Sequence, residues 1–110
     1  MGDYISVNDY EGNIVTCSRP QWFNHIVKNH SIMARNKHAV EEAISNPDKV
    51  YESDDYDNRK VFFKISTSPT YGDKFNTKVI VEYNKPSEGE IVTAFPTKDV
   101  KGGIGDVIYP

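Results

Sequence analysis

The fold is decided by the stretch KVFFKI, residues 60–65, where the chain changes from helical spacing to the two-residue alternation of a β-strand. Similar runs lie before and after it, and turn-forming Gly, Pro, Asn and Asp residues separate them. The sequence therefore predicts four strands, over residues 50–53, 60–67, 78–83 and 90–95. Because the connections are short, we expect these strands to pair antiparallel.

Two helices are predicted ahead of these strands. Ser18 is a good N-cap, and Pro20 is favoured in a first helical turn, so one helix begins here and runs to about His30. A second helix begins after Asn36 and ends at residues 46–47, an Asn-Pro pair. The expected core-facing arc of the first helix consists of Trp22, Phe23, Ile26 and Val27.

The pattern as a whole predicts one α+β domain over residues 1–110, since 110 residues leave no room for two. We expect two N-terminal helices packed on a four-stranded antiparallel sheet, preceded by a short N-terminal hairpin. The hairpin forms an extension over residues 1–17, and residues 18–97 form the core. Residues 98–110 are expected to be a flexible C-terminal tail whose apolar end, residues 107–109, can dock.

Composition narrows the class of protein. With 37% hydrophobic and 26% charged residues, the chain has ordinary globular composition. A net charge of −3 argues against nucleic-acid binding by bulk attraction, so any such binding requires a local patch. The single Cys17 cannot form an internal disulfide and is expected to be a small buried residue in a reducing compartment. With no long apolar run or signal-like start, we expect a cytoplasmic protein with no membrane partner.

Strand alternation suggests an open sheet face. On residues 60–65, Val61, Phe63 and Ile65 are assigned to the core, which leaves the other three side chains on the open face. Those side chains, with two from the last strand, could neutralise phosphate and stack bases: Lys60, Phe62, Lys64, Thr93 and Phe95. The alternative is an ordinary solvated face carrying amphipathic lysines.

The histidines are the candidates for proton transfer. His25 lies at the border of the predicted core arc, so it could reach a cleft and remove a proton from a ribose 2′-OH. The alternative is a partly buried histidine bonded to backbone. His30 could be a second catalytic group or could donate to the last helical carbonyls, and His38 is expected on the surface. Since His25 and His30 diverge by about 140° on a helix and there is no cysteine pair, we do not expect a metal site. We also expect no cofactor.

The order of these motifs resembles a known group. Trp22-x-x-His25-Ile26, then His30, a helix exit AIxxPDxV at residues 43–50, a strand RxxFFK at residues 59–64 and VTAF at residues 92–95 follow one another. This succession resembles the small phage and polymorphic-toxin nuclease domains of the barnase, EndoU, colicin E5/D and RelE-like superfamily. The similarity covers about residues 20–97.

The resemblance implies metal-independent endoribonuclease activity, frequently on tRNA, in a toxin or phage effector that acts in the cytoplasm of its own or a target cell. An immunity or antitoxin protein is then an expected partner. The resemblance and the open face together give catalytic candidates His25, His30, Lys64 and Thr93, and RNA-binding candidates Arg59, Lys60, Phe62 and Phe95.

One departure from the group supports an alternative function. In the relatives, Pro and an acidic residue often follow the second histidine, whereas Ser31-Ile32-Met33 follow His30 here. The acidic net charge points the same way. The alternative is a non-catalytic phage or mobile-element binding module that docks RNA or a protein partner.

Overall fold

Seven strands form one mixed sheet in the computed structural model, which describes residues 3–66, 75–100 and 102–110. The strands are β1 (Ile5–Asn8), β2 (Ile14–Cys17), β3 (Lys49–Ser53), β4 (Arg59–Ile65), β5 (Asn76–Lys85), β6 (Glu88–Thr97) and β7 (Ile104–Tyr109). Their order across the sheet is β1-β2-β6-β5-β4-β3-β7. Neighbouring strands pair antiparallel except β2 and β6, which pair in parallel.

The helical part of the chain lies between β2 and β3. Helix α1, residues 19–29, consists of an α-helical turn Arg19–Gln21, a π-helical turn Trp22–Ile26 and an α-helical turn Val27–Asn29. A 3₁₀ turn, Ser31–Arg35, leads into helix α2, Lys37–Ser45. The predicted start is confirmed, since the Ser18 hydroxyl accepts the Gln21 N–H at 3.2 Å and Pro20 lies in the first turn.

The predicted core arc of α1 is only partly correct. Trp22 and Ile26 are fully buried, but Phe23 is 46% exposed. The Val27 N–H bonds to the Trp22 carbonyl five residues back, which is the wider turn of a π-helix. The spacing along this part of α1 therefore differs from the uniform 100° per residue that the prediction used.

The predicted four-stranded antiparallel sheet with two N-terminal helices is wrong, although its four strands exist as β3 to β6. Thr67, the predicted end of the second of them, lies outside the described residues. The sheet is larger because the N-terminal hairpin, β1 and β2, joins β6 in parallel and residues 104–109 join β3. The segment expected to be a flexible tail thus contributes an edge strand.

One face of the sheet packs under the helices and is called the helix face. Its central row runs across four strands, with Val50, Phe62, Val79 and Ala94 paired in register. These side chains share a buried core with residues of α1, the 3₁₀ turn and α2, namely Trp22, Ile26, Met33, Val40, Ala43 and Ile44. Burial of this apolar row is the main term that holds the helices to the sheet.

The opposite face of the sheet is called the outer face. The five side chains that were predicted to share one open face lie on two different faces, so this prediction is wrong. Because residues paired across strands share a face, Lys60, Phe62 and Lys64 lie on the helix face, whereas Thr93 and Phe95 lie on the outer face. Val61, Phe62 and Phe63 are all buried, so alternation carries no information here. The two lysines end in ion pairs at the margins of the helix face, as amphipathic side chains can.

The turn of the N-terminal hairpin is tied to the rest of the sheet by Asp9. Its carboxylate accepts the Tyr83 hydroxyl at 2.7 Å and the backbone N–H groups of Glu11 and Asn13 at 2.9 Å. Burial, together with this bond to Asp9, raises the pKa of Tyr83. The next residue, Tyr10, places its ring 4.6 Å from that of Tyr109 on β7, so the hairpin turn reaches the opposite edge strand.

Candidate functional site

Helix α1 lies along an open stretch of β6. The parallel pairing with β2 covers only residues 88–90 of β6, and the strand continues to Thr97. The Gln21 side-chain amide donates to the Val92 carbonyl at 2.6 Å and so supplies a partner for this edge. His30 follows the last residue of α1 with φ −138° and ψ 80°. Its ring stacks on Phe95, with 4.8 Å between centroids and 24° between planes.

The stacked histidine lies at the end of a row on the outer face, which we call the outer row. In register across β3 to β6 it consists of Lys49, Phe63, Lys78 and Phe95, and His30 adds a fifth member. The Lys78 ammonium lies 5.5 Å from the centroid of Phe95 and 5.7 Å from that of Phe63. Because His30 and Lys78 contact one ring, they lie within about 10 Å of each other.

Lys78 is an unusual lysine for a sheet surface. Only 9% of it is exposed, and its ammonium donates to the Gly102 carbonyl at 3.0 Å. Burial lowers the pKa of Lys78, an effect that the charges of Asp99 and Asp55 oppose. A lysine with a shifted pKa among aromatic rings is a functional candidate, although a structural bond to the strand connection also explains its burial.

A cavity of about 470 Å³ adjoins the outer row at Phe63. Tyr51, Ile65 and Val100 contribute to its walls together with Phe63. This volume is within the range of pockets for small ligands, and aromatic walls suit a flat, partly apolar group such as a nucleobase. The residues before β7 therefore border both Lys78 and the cavity.

The structure does not bring the four predicted catalytic residues together. Lys64 lies on the helix face with its ammonium 3.6 Å from the Asp48 carboxylate, whereas Thr93 lies on the outer face, paired with Ile80. His25 is exposed in the π-helical turn. Of the four, His30 and Thr93 lie with the outer row or next to it, and Lys64 borders the cavity that adjoins this row.

The four predicted RNA-binding residues do not lie together on one surface either. Phe62 is fully buried in the core and has no free face for a base, so this prediction is wrong. Arg59 is bonded to Glu82 at 2.9 Å, and the Lys60 ammonium is bonded to Glu11 at 3.1 Å. Phe95 alone belongs to the outer row, where one face of its ring is stacked against His30.

Sequence reasoning missed a second surface, on the helices. Residues 12–40 contain four basic residues, all three histidines and no acidic residue: Arg19, Lys28, Arg35, Lys37, His25, His30 and His38. The other nine basic and sixteen acidic residues give the rest of the chain a charge of −7. Counting charges along the chain instead of over all of it would have found this stretch.

The same stretch carries aromatic contacts. The Arg19 guanidinium lies 5.3 Å from the centre of the Tyr4 ring, and the Lys37 ammonium lies 4.5 Å from it. The exposed Phe23 packs edge-on against the same ring at 5.0 Å, and the buried Trp22 lies 5.7 Å from it. Tyr4 is thus held between the core and two cations.

Within residues 3–66, 75–100 and 102–110, no three His, Cys, Asp or Glu side chains are grouped closely enough to hold a metal ion. Nor does that part of the chain include a helix with the length and apolar character needed to span a bilayer.

Comparison with models of protein families, with curated proteins and with solved structures found no match to the chain. The resemblance to the nuclease superfamily therefore stays a prediction.

Proposed function

We propose that the chain is a metal-independent endoribonuclease whose reacting groups are His30 and Lys78. The observation that carries the proposal is the contact of both side chains with Phe95, at 4.8 Å for the imidazole ring and 5.5 Å for the ammonium. An imidazole and an ammonium that contact the same ring, within about 10 Å of each other, can approach a phosphodiester bound between them. His25 and Lys64, which were predicted to be catalytic, are not part of this proposed site.

The proposed reaction needs one base and one acid. The His30 imidazole takes the proton of a ribose 2′-OH, and the 2′ oxygen then attacks the adjacent phosphorus. The bond from phosphorus to the 5′ oxygen breaks, and Lys78 gives that oxygen a proton. The products are a 2′,3′-cyclic phosphate and a 5′-hydroxyl. Because burial lowers the pKa of Lys78, its ammonium gives up a proton more readily than an exposed lysine does.

Two neighbours complete the proposed site. The Thr93 hydroxyl, on the outer face in the row next to Phe95, is a donor for a phosphate oxygen. The Phe95 ring can stack a base beside the scissile bond, a contact that typically contributes about 1–3 kcal/mol. To reach the phosphate, Lys78 exchanges the Gly102 carbonyl for a phosphate oxygen, which is a stronger, charge-assisted partner.

Incubation of the purified chain with total tRNA in EDTA tests the proposal. We expect fragments that end in a 2′,3′-cyclic phosphate, and we expect His30→Ala to abolish them. His25→Ala, which removes an exposed histidine of the helix that His30 follows, is the matched control and should cleave as wild type does. Absence of cleavage, or equal cleavage by His30→Ala, would exclude this site.

A second function, RNA binding without cleavage, is favoured by one observation. Lys78 is 9% exposed and already bonded to Gly102, so its ammonium is not offered to a ligand in this conformation. Binding of total tRNA by a chain that releases no fragments would support this second function over the first.

A ribonuclease of this kind fits the predicted role of toxin or phage effector. In that role the chain acts on RNA in the cytoplasm and requires an immunity or antitoxin partner in the cell that makes it. We expect induced expression of the wild-type chain to arrest growth, and expression of His30→Ala to leave growth unchanged. Equal growth of both strains at equal protein levels would exclude the toxin role.

A further inference from the structure

We propose that the acid-free helical stretch carries a docking site for single-stranded RNA, formed by Arg19, Lys37, Tyr4 and Phe23 and called here the helical patch. The choice of RNA as ligand rests on the proposed function, whereas the patch itself rests on separate observations. It lies at the start of α1, and the proposed reacting group His30 follows the end of that helix. It would hold a part of the strand distant from the scissile bond.

The first observation concerns charge pairing. Four of the cations on the strands are each within 4.0 Å of a carboxylate, namely Arg59, Lys60, Lys64 and Lys85. Within the described part of the chain, neither Arg19 nor Lys37 has such a partner, and each lies against the Tyr4 ring. Two cations without carboxylate partners on one ring are available to phosphates, while the paired strand cations must first give up a partner.

The second observation is the aromatic platform between these cations. Phe23 is 46% exposed and stands edge-on to Tyr4, whose backbone N–H is bonded to the Cys17 carbonyl at 2.9 Å. Trp22 supports Tyr4 from the core. The platform is therefore fixed before a ligand arrives, and an exposed ring beside two cations matches the stacking and phosphate contacts of single-stranded nucleic acid.

The distance along α1 sets the length of RNA required. Eleven residues separate Arg19 from His30, or roughly 16 Å at 1.5 Å per residue. At about 3.4 Å per stacked nucleotide, this distance corresponds to about five nucleotides. We therefore expect an RNA strand to contact both the helical patch and His30 only if it is longer than about five nucleotides.

The test measures binding and not cleavage. The probe is a fluorescently labelled 12-nucleotide RNA with 2′-O-methyl ribose, which lacks the attacking hydroxyl, and anisotropy gives its Kd between 50 and 200 mM salt. For Arg19→Gln with Lys37→Gln we expect at least tenfold weaker binding at 50 mM salt. We also expect the slope of log K against log salt to fall by about 1.4, since each phosphate contact with a single strand contributes about 0.7.

The matched control removes two paired cations of the sheet, Lys60→Gln with Lys85→Gln, and so changes the net charge equally. We expect this variant to bind within about twofold of wild type. Phe23→Leu keeps an apolar side chain but removes the ring, and should weaken binding at least fivefold with little change in the salt slope. Circular dichroism establishes that each variant is folded.

Several outcomes would overturn the proposal. Among them are equal losses for the patch and control variants, no binding of the probe by wild type, and binding of polyglutamate but not RNA, which would assign an acidic protein segment. If the chain cleaves tRNA but the patch variants bind the probe as tightly as wild type does, the helical patch is refuted and the ribonuclease proposal stands. If the patch variants lose probe binding but the wild-type chain never cleaves tRNA, the helical patch is supported and the ribonuclease is refuted.

Discussion

The ion-paired cations of the sheet and the two helical cations beside Tyr4 differ in what surrounds them. Arg59 and Lys60 are bonded to carboxylates at 2.9 and 3.1 Å, whereas Arg19 and Lys37 lie against an aromatic ring. A net charge of −3 hides this difference, because it is the sum of a stretch of charge +4 and a remainder of charge −7. For this chain, the pairing of each cation is therefore a better guide to anion binding than the total charge.

The largest effect should come from the histidine that joins the two regions. His30 belongs to the helical stretch but stacks on Phe95 of the sheet. We expect His30→Ala to lower the rate of RNA cleavage by about 10²–10⁴-fold, the usual contribution of a proton-transfer group. Single-turnover cleavage of a short RNA measures this rate. A decrease of less than threefold would show that the two regions do not share a reactive site.

Replacement of Lys78 should separate activity from stability. We expect Lys78→Met to lower cleavage by about 10²-fold or more, because it removes the acid and the positive charge from the outer row. The Tm should stay the same or rise, since a buried ammonium costs desolvation free energy that a methionine of similar length avoids. Lys64→Met serves as the control with normal cleavage. A Tm several degrees lower with normal cleavage would assign Lys78 a purely structural role.

Removal of its carboxylate partner should make a sheet cation available to phosphate, as Arg19 and Lys37 of the helical patch are. Glu82→Gln frees Arg59 on the outer face from its ion pair. We expect about threefold tighter binding of single-stranded RNA and a salt slope steeper by about 0.7. Anisotropy with the 2′-O-methyl probe measures both. Unchanged binding would mean that position on the molecule, and not pairing, keeps Arg59 from contributing.

The smallest effect concerns pH. Hydrogen bonds from Arg59 and Asn84 lower the pKa of Glu82 from its ordinary value of 4.5. Because the folded-state pKa is the lower one, the stabilisation is complete above pH 4.5 and is lost as the pH falls through the folded value. Thermal unfolding between pH 3 and 7 should show a slightly smaller loss of Tm for Glu82→Gln than for wild type in acid. An identical acid dependence would show that the partly buried Arg59–Glu82 pair contributes nothing measurable.

Local signals in the sequence predicted local structure well. Ser18 and Pro20 fixed the start of α1, and turn-forming residues separated the strands that became β3 to β6. The faces of β4 were not predictable, because consecutive buried residues at 61–63 remove the alternation that distinguishes them. The shared catalytic surface of Lys64 and Thr93 depended on that alternation and was wrong for the same reason.

The larger architecture depended on pairings that no local pattern encodes. β2 pairs with β6 far along the chain, and β7 pairs with β3 through an irregular register. The contact between His30 and Phe95 follows from the first of these pairings, since β2 leaves β6 after Glu90 and α1 then lies along the open stretch. The basic stretch, in contrast, was readable in the sequence as a run of residues without acids, although its contacts with Tyr4 were not.

The parallel pairing of β2 and β6 also determines when the sheet can be completed during synthesis of the chain. Ile14 pairs with Glu88, so β2 waits for 74 further residues, which takes about 4–15 s at translation rates of roughly 5–20 residues per second. His30 likewise stacks on Phe95 of β6 only after that delay. A nascent or truncated chain without β6 would therefore carry the basic stretch without the outer row.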